Sequence, residues 1–439
     1  MARRGARASH RAHRAGTPAA GAAVGHGHGH GHGGHAELEI DPLPRTLLLA
    51  ALAVVGVVSL VGAVLLWPSG SAADELQGSV GFAAEGSSFP EGVVEEVQTP
   101  CPVQPASEGP GGSPTRGEDC GNLVVTVDEG VDEGREVVVP VAPQVSQAGL
   151  EPGDRVELLR APAPEGGEAS ITFFGIERSA SLWWAAGLFV LVVLMVARFR
   201  GLMALVGLGF AGLVVGYFLL PALLAGEPAV PVALVASTVI MFVVIYTTHG
   251  VSMRTSAALG GTLAGVLLTA LLAWWAVGSA RLTGVSDDGS TVLSSYADRL
   301  DLQSLLMAAV VIAGLGILND VTITQASAVW ELRAASASLT RAQLFASGMR
   351  IGRDHIASTI YTIVFAYTGT ALTLLLAVSL YDRSIWGLLE TEELASEIVR
   401  SLAGSIGLVL AVPATTAVAV LTVPAPRERV GYETASDPA

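Results

Sequence analysis

The chain has 439 residues, of which 51% are hydrophobic and only 14% are charged, and its mean hydropathy is +0.56. Since about a quarter of the residues of a soluble globular protein are charged, this composition excludes that class and indicates a membrane protein. The net charge of -15 is concentrated between Pro68 and Ser181, where 20 acidic residues stand against five arginines. All 24 basic residues are arginine, and with the abundant alanine, glycine and valine this indicates a high-GC bacterial genome.

Residues 1–44 are predicted to be a disordered cytoplasmic tail, because they are rich in Arg, Gly, Ala and His. Histidine alternates with glycine within this tail, and imidazoles on a flexible chain can bind Zn²⁺ or Ni²⁺. The alternative is a low-complexity repeat that binds metal only adventitiously. The histidines concerned are His26, His28, His30, His32 and His35.

Eight apolar segments are predicted to be helices that cross the bilayer, since a crossing takes about 20 predominantly apolar residues. The first of them is not a cleaved signal peptide, because it is too long and follows about 45 residues of tail. We expect it to anchor the acidic region, and the other seven to form a membrane domain over residues 182–423. The predicted spans are 46–67, 182–197, 202–220, 230–246, 256–277, 302–322, 358–380 and 402–423.

The arginines predict the direction of these helices, because cytoplasmic loops of membrane proteins carry an excess of basic residues. Six arginines precede the first span, and others follow the second, fourth, sixth and eighth spans, the last of them in the tail of residues 424–439. The alternate connections carry mostly Asp and Glu. We therefore predict a multi-pass protein of the bacterial plasma membrane with both termini in the cytoplasm and the acidic region outside.

The acidic region, residues 80–177, is predicted to be a small extracytoplasmic all-β domain of the OB-barrel kind, since β-prone runs alternate with Gly and Pro. Cys101 and Cys120 are the only cysteines, and outside the cytosol they indicate a disulfide, the alternative being two free thiols. OB folds often bind nucleic acid, but this negative charge would repel phosphates, so we expect no nucleic-acid partner. The predicted strands are 92–98, 122–127, 136–141, 155–159 and 169–176.

The sixth predicted span continues without a break into polar residues, and these carry the candidate site. At 100° per residue, Asp320, Thr324, Ser327 and Glu331 lie on one face of the helix. A carboxylate at membrane depth costs several kcal/mol, so the sequence predicts that this face contacts a solute or ion. The alternative is a hydrated Asp320 at the interface that pairs with an arginine for structure only. Asn319 and Gln325 complete the predicted path in this helix.

The seventh predicted span adds polar residues at the same membrane surface. Its Thr359 and Thr362 share a face and are predicted to continue the path. A histidine next to Asp320 would make a proton relay or a cation site. No catalytic motif is found, so we expect neither an enzyme nor a cofactor. The predicted cytoplasmic gate consists of Arg350, Arg353, Asp354, His355 and His249.

Glycine pairs in three of the predicted spans favour close packing of helices, because small residues let helix backbones approach. Glycine is frequent in this chain, with 51 residues, so the motifs are weakly specific. The pairs are Gly212 and Gly216, Gly261 and Gly265, and Gly404 and Gly407.

Two motifs resemble the signature of the YibE/F family of bacterial multi-span membrane proteins. One is Gly-Ile-Leu-Asn-Asp-Val-Thr-Ile-Thr-Gln-Ala-Ser-Ala-Val-Trp-Glu-Leu at residues 316–332. The other is Ser-Gly-Met-Arg-Ile-Gly-Arg-Asp-His-Ile-Ala-Ser-Thr at residues 347–359, followed by Ala-Tyr-Thr-Gly at 366–369. The resemblance covers about residues 180–423, and the β domain is similar to the usual preface of the family. It implies a helical membrane protein, with transport as a suggestion.

Three functional hypotheses follow from the sequence. The first is a permease or permease component whose path contains the polar face from Asp320 to Glu331. The second is a scaffold anchored in the lipid bilayer, whose acidic β domain binds a partner protein or an envelope polymer. The protein partners to expect are an envelope protein or further copies of the chain in a homo-oligomer. The third is an intramembrane enzyme, for which no nucleophile and base can be identified.

Overall fold

The computed structural model describes residues 42–68, 83, 86–99, 121–162, 169–286, 288–296, 300–380 and 384–425. Within these ranges the chain forms a set of long apolar helices and one small β barrel. Three predicted features lie outside the described residues: the histidine tract, the cysteine pair Cys101 and Cys120, and most of the C-terminal tail.

Six helical segments of the described residues are long and apolar enough to cross a membrane, and a seventh is a bent pair. The first of these segments begins at Pro42, three residues inside the tail that was predicted to be disordered. Proline suits the first turn of a helix, where its missing N–H group is not needed. A π-helical turn, Val215–Leu219, joins the helix Ser179–Val214 to the short helix Leu220–Leu224. The helices are α1 Pro42–Leu65, α2 Pro143–Ser146, α3 Ser179–Val214, α4 Leu220–Leu224, α5 Ala229–His249, α6 Met253–Ala280, α7 Asp288–Tyr296, α8 Leu302–Ala335, α9 Arg341–Thr370, α10 Leu372–Ser379, α11 Ile385–Leu389 and α12 Glu392–Thr422.

The predicted second and third spans both lie in α3 and its continuation, which bend sharply at one residue. Arg198 has φ 52° and ψ -131°, which is not helical. A Cβ on Gly201 would be 2.6 Å from the carbonyl oxygen of Val193, although eight residues of straight helix rise by about 12 Å. The chain therefore folds back on itself after Ala197, and glycine is needed where the two parts meet.

The predicted seventh span is bent as well. Helices α9 and α10 meet at an angle of 62°, at a break of one residue, Ala371. The eight predicted spans therefore correspond to six helices and one bent pair, because two of them share α3.

The centre of the helical part is formed by α6, α8 and α12. Leu259 and Val266 of α6 pack with Leu318 of α8 and Val412 of α12 in one buried cluster. A Cβ added at Gly265 would be 2.8 Å from Leu318 Cδ2, so the missing side chain lets these helices approach closely. Helices α5 and α9 contact this centre from its sides.

Two ends of the helical part can be told apart by their contacts. At one, Glu392 Oε1 accepts hydrogen bonds from the backbone N–H groups of Thr283 (2.7 Å) and Gly284 (3.0 Å), where α6 has ended and α12 begins. At the other, Arg254 of α6 lies 4.0 Å from Glu331 of α8. We call these the Glu392 end and the Arg254 end. Helices α8 and α12 therefore run antiparallel to α6.

The acidic region forms one antiparallel sheet of five strands in the order β3-β2-β1-β4-β5. The outermost strands, β3 and β5, lie against each other, so the sheet is a nearly closed barrel, as predicted. Its interior is filled by alternate apolar side chains, among them Val94, Leu123, Val125 and Leu158. The strands are β1 Glu91–Val97, β2 Asn122–Val127, β3 Glu136–Pro140, β4 Arg155–Ala161 and β5 Ser170–Ile176.

Candidate functional site

A polar cavity of about 450 Å³ lies at the Arg254 end, between α3, α5, α6 and α8. It brings together three residues of the polar face predicted on α8 and the histidine that ends α5. It is lined by Arg200, Thr248, His249, Arg254, Asp320, Ile323, Thr324 and Ser327.

Helix α8 presents two different faces because its polar residues follow two lines along the helix. Asp320 and Thr324 are exposed in the cavity, and Thr324 Oγ1 donates a hydrogen bond to the Asp320 carbonyl oxygen (2.7 Å). On the other face, Thr322 is buried with its hydroxyl 2.6 Å from that of Thr262 on α6. The cavity face is thus left free for other partners while the opposite face fixes the helix in the bundle.

Gln325 was predicted to be a path residue, but it lies on the buried face. Its Nε2 donates to the Gly348 carbonyl oxygen on α9 (2.9 Å) and to Thr416 Oγ1 on α12 (2.7 Å). Its side chain is therefore occupied in joining three helices. Asn319 is half-buried, and its Oδ1 is buried without a hydrogen-bond partner among the described atoms.

The short turn between α5 and α6 places a histidine and an arginine side by side. The turn passes through Gly250, whose φ of 76° suits glycine, and Ser252 caps α6 by accepting a hydrogen bond from the Thr255 N–H (3.1 Å). The Tyr246 hydroxyl, 2.9 Å from Ser256 Oγ, ties the end of α5 to the start of α6. The N-terminus of α6, with its partial positive charge, is therefore held beside the cavity.

Positive groups outnumber negative ones around the cavity. Arg200 and Arg254 face a single carboxylate, Asp320, and His249 adds a further charge when it is protonated. The contact of Arg254 with Glu331 is long, at 4.0 Å, and their side chains are 42% and 76% exposed, so it neutralises little. A site for a lone cation, one of the uses predicted for Asp320, agrees poorly with this balance. It suits a group that carries negative charge.

The family model described as YibE/F-like protein matches residues 185–425, which is more than half of the chain. The chain belongs to the YibE/F family. The matched region begins in α3 and ends after α12, so it contains every residue that lines the cavity. No curated protein and no solved structure matches the chain.

The second family-like motif, at the start of α9, does not line the cavity. Arg350, Arg353 and Asp354 are exposed on α9, and His355 is half-buried there. Among the residues predicted for a gate, only His249 is at the cavity. The structure therefore places the YibE/F motif of α8 at the cavity, and it packs the motif of α9 against the buried face of α8 through Gly348 and Gly352.

The two predicted threonines of α9 make bonds within their own helix. Thr359 is buried and donates to the His355 carbonyl oxygen (2.9 Å), and Thr362 is exposed and donates to that of Ser358 (3.3 Å). Neither lines the cavity.

Sequence reasoning missed three polar residues of the cavity in this YibE/F protein, Arg200, Thr248 and Arg254, and the apolar Ile323. The two arginines were used only to predict the direction of the helices. Their position at the ends of apolar segments, level with His249 and Asp320, was the sequence signal that could have found them. Among the described residues, no group of three or more His, Cys, Asp or Glu could hold a metal ion.

Proposed function

We propose that this YibE/F protein is a permease, or the membrane component of one, that moves a small solute carrying a carboxylate or phosphate group. The observation that supports this most is the cavity of about 450 Å³ between apolar helices, lined by Arg200, Arg254, His249 and Asp320. Charged groups that face a cavity inside a membrane domain mark paths for solutes or ions. The proposal includes no enzymatic step.

In this proposal the protein crosses the bacterial plasma membrane eight times, with both termini and the Arg254 end in the cytoplasm. The sharp bend at Arg198 supports two crossings within α3, and the excess of arginine at the Arg254 end supports the direction. The β barrel then lies outside the cell. This orientation makes the cavity an inward-facing site.

The charges of the cavity suggest how a solute would be held. Arg200 and Arg254 would bind its acid group, since guanidinium groups donate paired hydrogen bonds to carboxylates and phosphates. Asp320 carries the opposite charge in the same cavity, and it would pair with a positively charged group of a zwitterionic solute. The hydroxyls of Thr248, Thr324 and Ser327 would supply neutral hydrogen bonds.

Flux through the purified full-length protein in lipid vesicles tests this proposal. Uptake of radiolabelled inorganic phosphate, a dicarboxylate and a mixture of amino acids would be measured for the native chain, Arg254→Gln and Asp320→Asn. We expect uptake of at least one probe by the native protein and its loss in Arg254→Gln. Loss in Asp320→Asn as well would indicate a zwitterionic solute.

Ser347→Ala serves as the matched control, because it changes a polar residue of α9 that does not line the cavity. If Arg254→Gln and Asp320→Asn both take up every transported probe as the native protein does, the assignment of the site is refuted. Absence of uptake of every acidic probe would refute the assignment of the solute.

A scaffold function is the second candidate, and the folded acidic barrel is the observation that favours it. The barrel has its own buried core and a surface rich in carboxylates, some of them paired with Arg155, which lies 2.9 Å from Glu91 and 3.6 Å from Asp128. If the barrel carries the function, removing residues 80–177 reproduces the phenotype of the deleted gene while Asp320→Asn does not. A permease gives the converse result.

A further inference from the structure

Two parts of the helical domain share a sequence pattern. Residues 236–247 of α5 and 357–368 of α9 are identical at six of 12 positions, and both begin with Ala-Ser-Thr and end with Tyr-Thr. Residues 254–269 of α6 and 400–415 of α12 are identical at five of 16 positions, which include an Arg, a Gly and a Thr at the same spacing. The order α5 then α6 is therefore repeated as α9 then α12.

The two copies run in opposite directions. Helix α5 ends and α6 begins at the Arg254 end. Helix α9 begins at that end, where its Leu344 packs in one cluster with Val420 near the end of α12. It runs to the Glu392 end, where Tyr367 shares a pocket with Leu394 near the start of α12. The hairpin of α9 and α12 is thus an inverted copy of the hairpin of α5 and α6.

The contact between α6 and α12 is reciprocal, as an inverted repeat requires. Gly261 of α6 lies against Thr415 of α12, and the equivalent Gly407 of α12 lies against Thr269 of α6. Between these contacts, a Cβ on Gly265 would be 2.9 Å from Cβ of Ala411, its own equivalent. Exchanging the two helices therefore reproduces the contacts, which defines a local two-fold axis perpendicular to both helices.

The same exchange carries the cavity residues Thr248, His249 and Arg254 to Gly369, Thr370 and Arg400 at the Glu392 end. A second pocket there is lined by the sequence neighbours of these three residues, Thr368, Ala371 and Ser401. This pocket, of about 240 Å³, lies between α9 and α12 and is mostly apolar. Tyr367, the equivalent of Tyr246, lines it together with Glu397 and Ser401. The equivalent of Ser256, which binds the Tyr246 hydroxyl, is Leu402, so the corresponding bond is absent.

An arginine stands at the equivalent position of each hairpin: Arg254 at the cavity and Arg400 beside the second pocket. Arg400 Nη1 lies 2.7 Å from Glu397 Oε1, and both side chains are largely covered. Its Nε is buried without a hydrogen-bond partner among the described atoms. One arginine therefore faces an open cavity, while the other is held in a closed pair with a donor unused.

We propose that α5–α6 and α9–α12 are inverted copies of one hairpin, and that the pocket at Tyr367, Glu397 and Ser401 is a second site for the same acidic solute. Transporters built from inverted repeats open to one side at a time, because the two copies exchange conformations. When the second site opens, Arg400 leaves Glu397 and binds the acid group, as Arg254 does at the cavity. The identity of the solute rests on the proposed function, whereas the inverted repeat rests on the helices alone.

The two copies of the hairpin differ in shape, as the copies in transporters built from inverted repeats do. Helix α5 is continuous to His249, but α9 and α10 bend by 62° next to the second pocket, whose lining includes Ala371 and Leu375 at the bend. Straightening this bend would change the pocket without disturbing the contact between α6 and α12. The bend is therefore the place where the second copy differs from the first.

Thiol labelling of the full-length protein in membranes tests the two sites. Ser327→Cys reports on the cavity and Ser401→Cys on the second pocket, with a membrane-impermeant maleimide added to intact cells or to inverted vesicles. We expect Ser401→Cys to react from the outside and Ser327→Cys from the inside. Adding Thr324→Trp, which wedges the cavity open, should reduce labelling of Ser401→Cys at least about fivefold. The reciprocal wedge, Leu375→Trp, should reduce labelling of Ser327→Cys.

Ser294→Cys on α7 is the matched control, because it is exposed outside both sites and should react equally with and without the wedges. Labelling of the unaltered chain gives the background from the native cysteines. If Thr324→Trp lowers the amount of protein in the membrane, Thr324→Phe replaces it. If neither Thr324→Trp nor Leu375→Trp changes the labelling of Ser401→Cys, the proposal of a second site is refuted. Because labelling does not depend on flux, a failed uptake experiment would refute the solute and leave this result standing.

Discussion

Nε2 of Gln325 lies 2.7 Å from Oγ1 of Thr416, and this hydrogen bond joins α8 to α12 inside the helical domain. The same amide group donates to the Gly348 carbonyl oxygen of α9. A Cβ on Gly352 would be 3.0 Å from Gln325 Oε1, so the amide fits against a backbone without a side chain. Gln325 therefore positions the helix that carries Asp320 without contacting the cavity.

We predict that Gln325→Met lowers the free energy of unfolding by about 1 kcal/mol, because it keeps the shape of the side chain and removes two hydrogen bonds between helices. Thermal unfolding in detergent would measure the loss. Thr324→Ala, on the adjacent cavity face, is the control and should unfold like the native protein. Equal losses in the two variants would contradict the structural role of Gln325.

The glycine pairs predict stability differences that their sequence motifs alone do not. A Cβ added at Gly261 would overlap the hydroxyl of Thr415, whereas one added at Gly212 would meet nothing within 4 Å. Gly261→Ala should therefore destabilise the protein by about 1–3 kcal/mol, the usual cost of overpacking, and Gly212→Ala should not. Chemical unfolding in detergent compares the two. A Gly261→Ala protein as stable as Gly212→Ala would show that α6 and α12 are not packed this closely.

Much of this arrangement could be predicted from sequence because it depends on local patterns. The β strands were predicted within about two residues at their ends, since the alternation of Val with polar residues is a strong signal between Gly and Pro. The cavity face of α8 was predicted from helical periodicity alone. Three of its four residues, Asp320, Thr324 and Ser327, line the cavity, whereas Glu331 does not. Both predictions use the spacing of neighbouring residues only.

The contacts between distant helices could not be predicted in this way. Gln325 was placed on the path because it is polar, but a buried amide that satisfies Gly348 and Thr416 has the same local sequence as an exposed one. The reversal at Arg198, by contrast, was expected, because the second predicted span ends at residue 197 and the third begins at residue 202. Which arginines lie at the same cavity as Asp320 depends on how four helices assemble. They are Arg200 and Arg254, and not the predicted Arg350 and Arg353.

Acidification should weaken the barrel through the ion pair of Asp132 and Arg160. The hydrogen bond from Arg160 Nε to Asp132 (2.7 Å), assisted by the charges of Arg160 and Arg135, lowers the pKa of Asp132 below its ordinary value of 3.8. Because the folded pKa is the lower one, the pair stabilises the barrel fully above the ordinary pKa. That stabilisation is lost as the pH falls through the folded pKa.

Pepsin cleavage within residues 121–162 of the full-length protein, measured between about pH 4 and pH 2, tests this pH dependence. The native barrel should become more susceptible to cleavage as the pH falls. Asp132→Asn should be more susceptible already at the upper end of the range and change less. Glu133→Gln, which removes the neighbouring exposed carboxylate, should follow the native curve. If the cleavage of Asp132→Asn follows the same pH curve as that of the native protein, the pair of Asp132 and Arg160 does not stabilise the barrel.

The pair of Arg254 and Glu331 should matter for charge in the cavity and hardly at all for stability. At 4.0 Å between exposed side chains, such a pair contributes about 0.5 kcal/mol or less. Glu331→Gln should therefore leave thermal unfolding unchanged. It should strengthen binding of an acidic solute, because it removes the negative charge nearest to Arg254, and the gain should shrink as salt is added.

The measurement is the concentration of phosphate, or of whichever acidic probe the vesicles take up, that gives half-maximal uptake at low and high ionic strength. Glu331→Gln should lower this concentration at low salt and approach the native value at high salt, because mobile ions screen exposed charges over about 10 Å at 0.1 M. Arg254→Gln serves as the opposite extreme, since its uptake should be lost at either ionic strength. If Glu331→Gln weakens uptake instead, the carboxylate is part of the binding site, and the solute carries a positive group that reaches beyond Asp320 to Glu331.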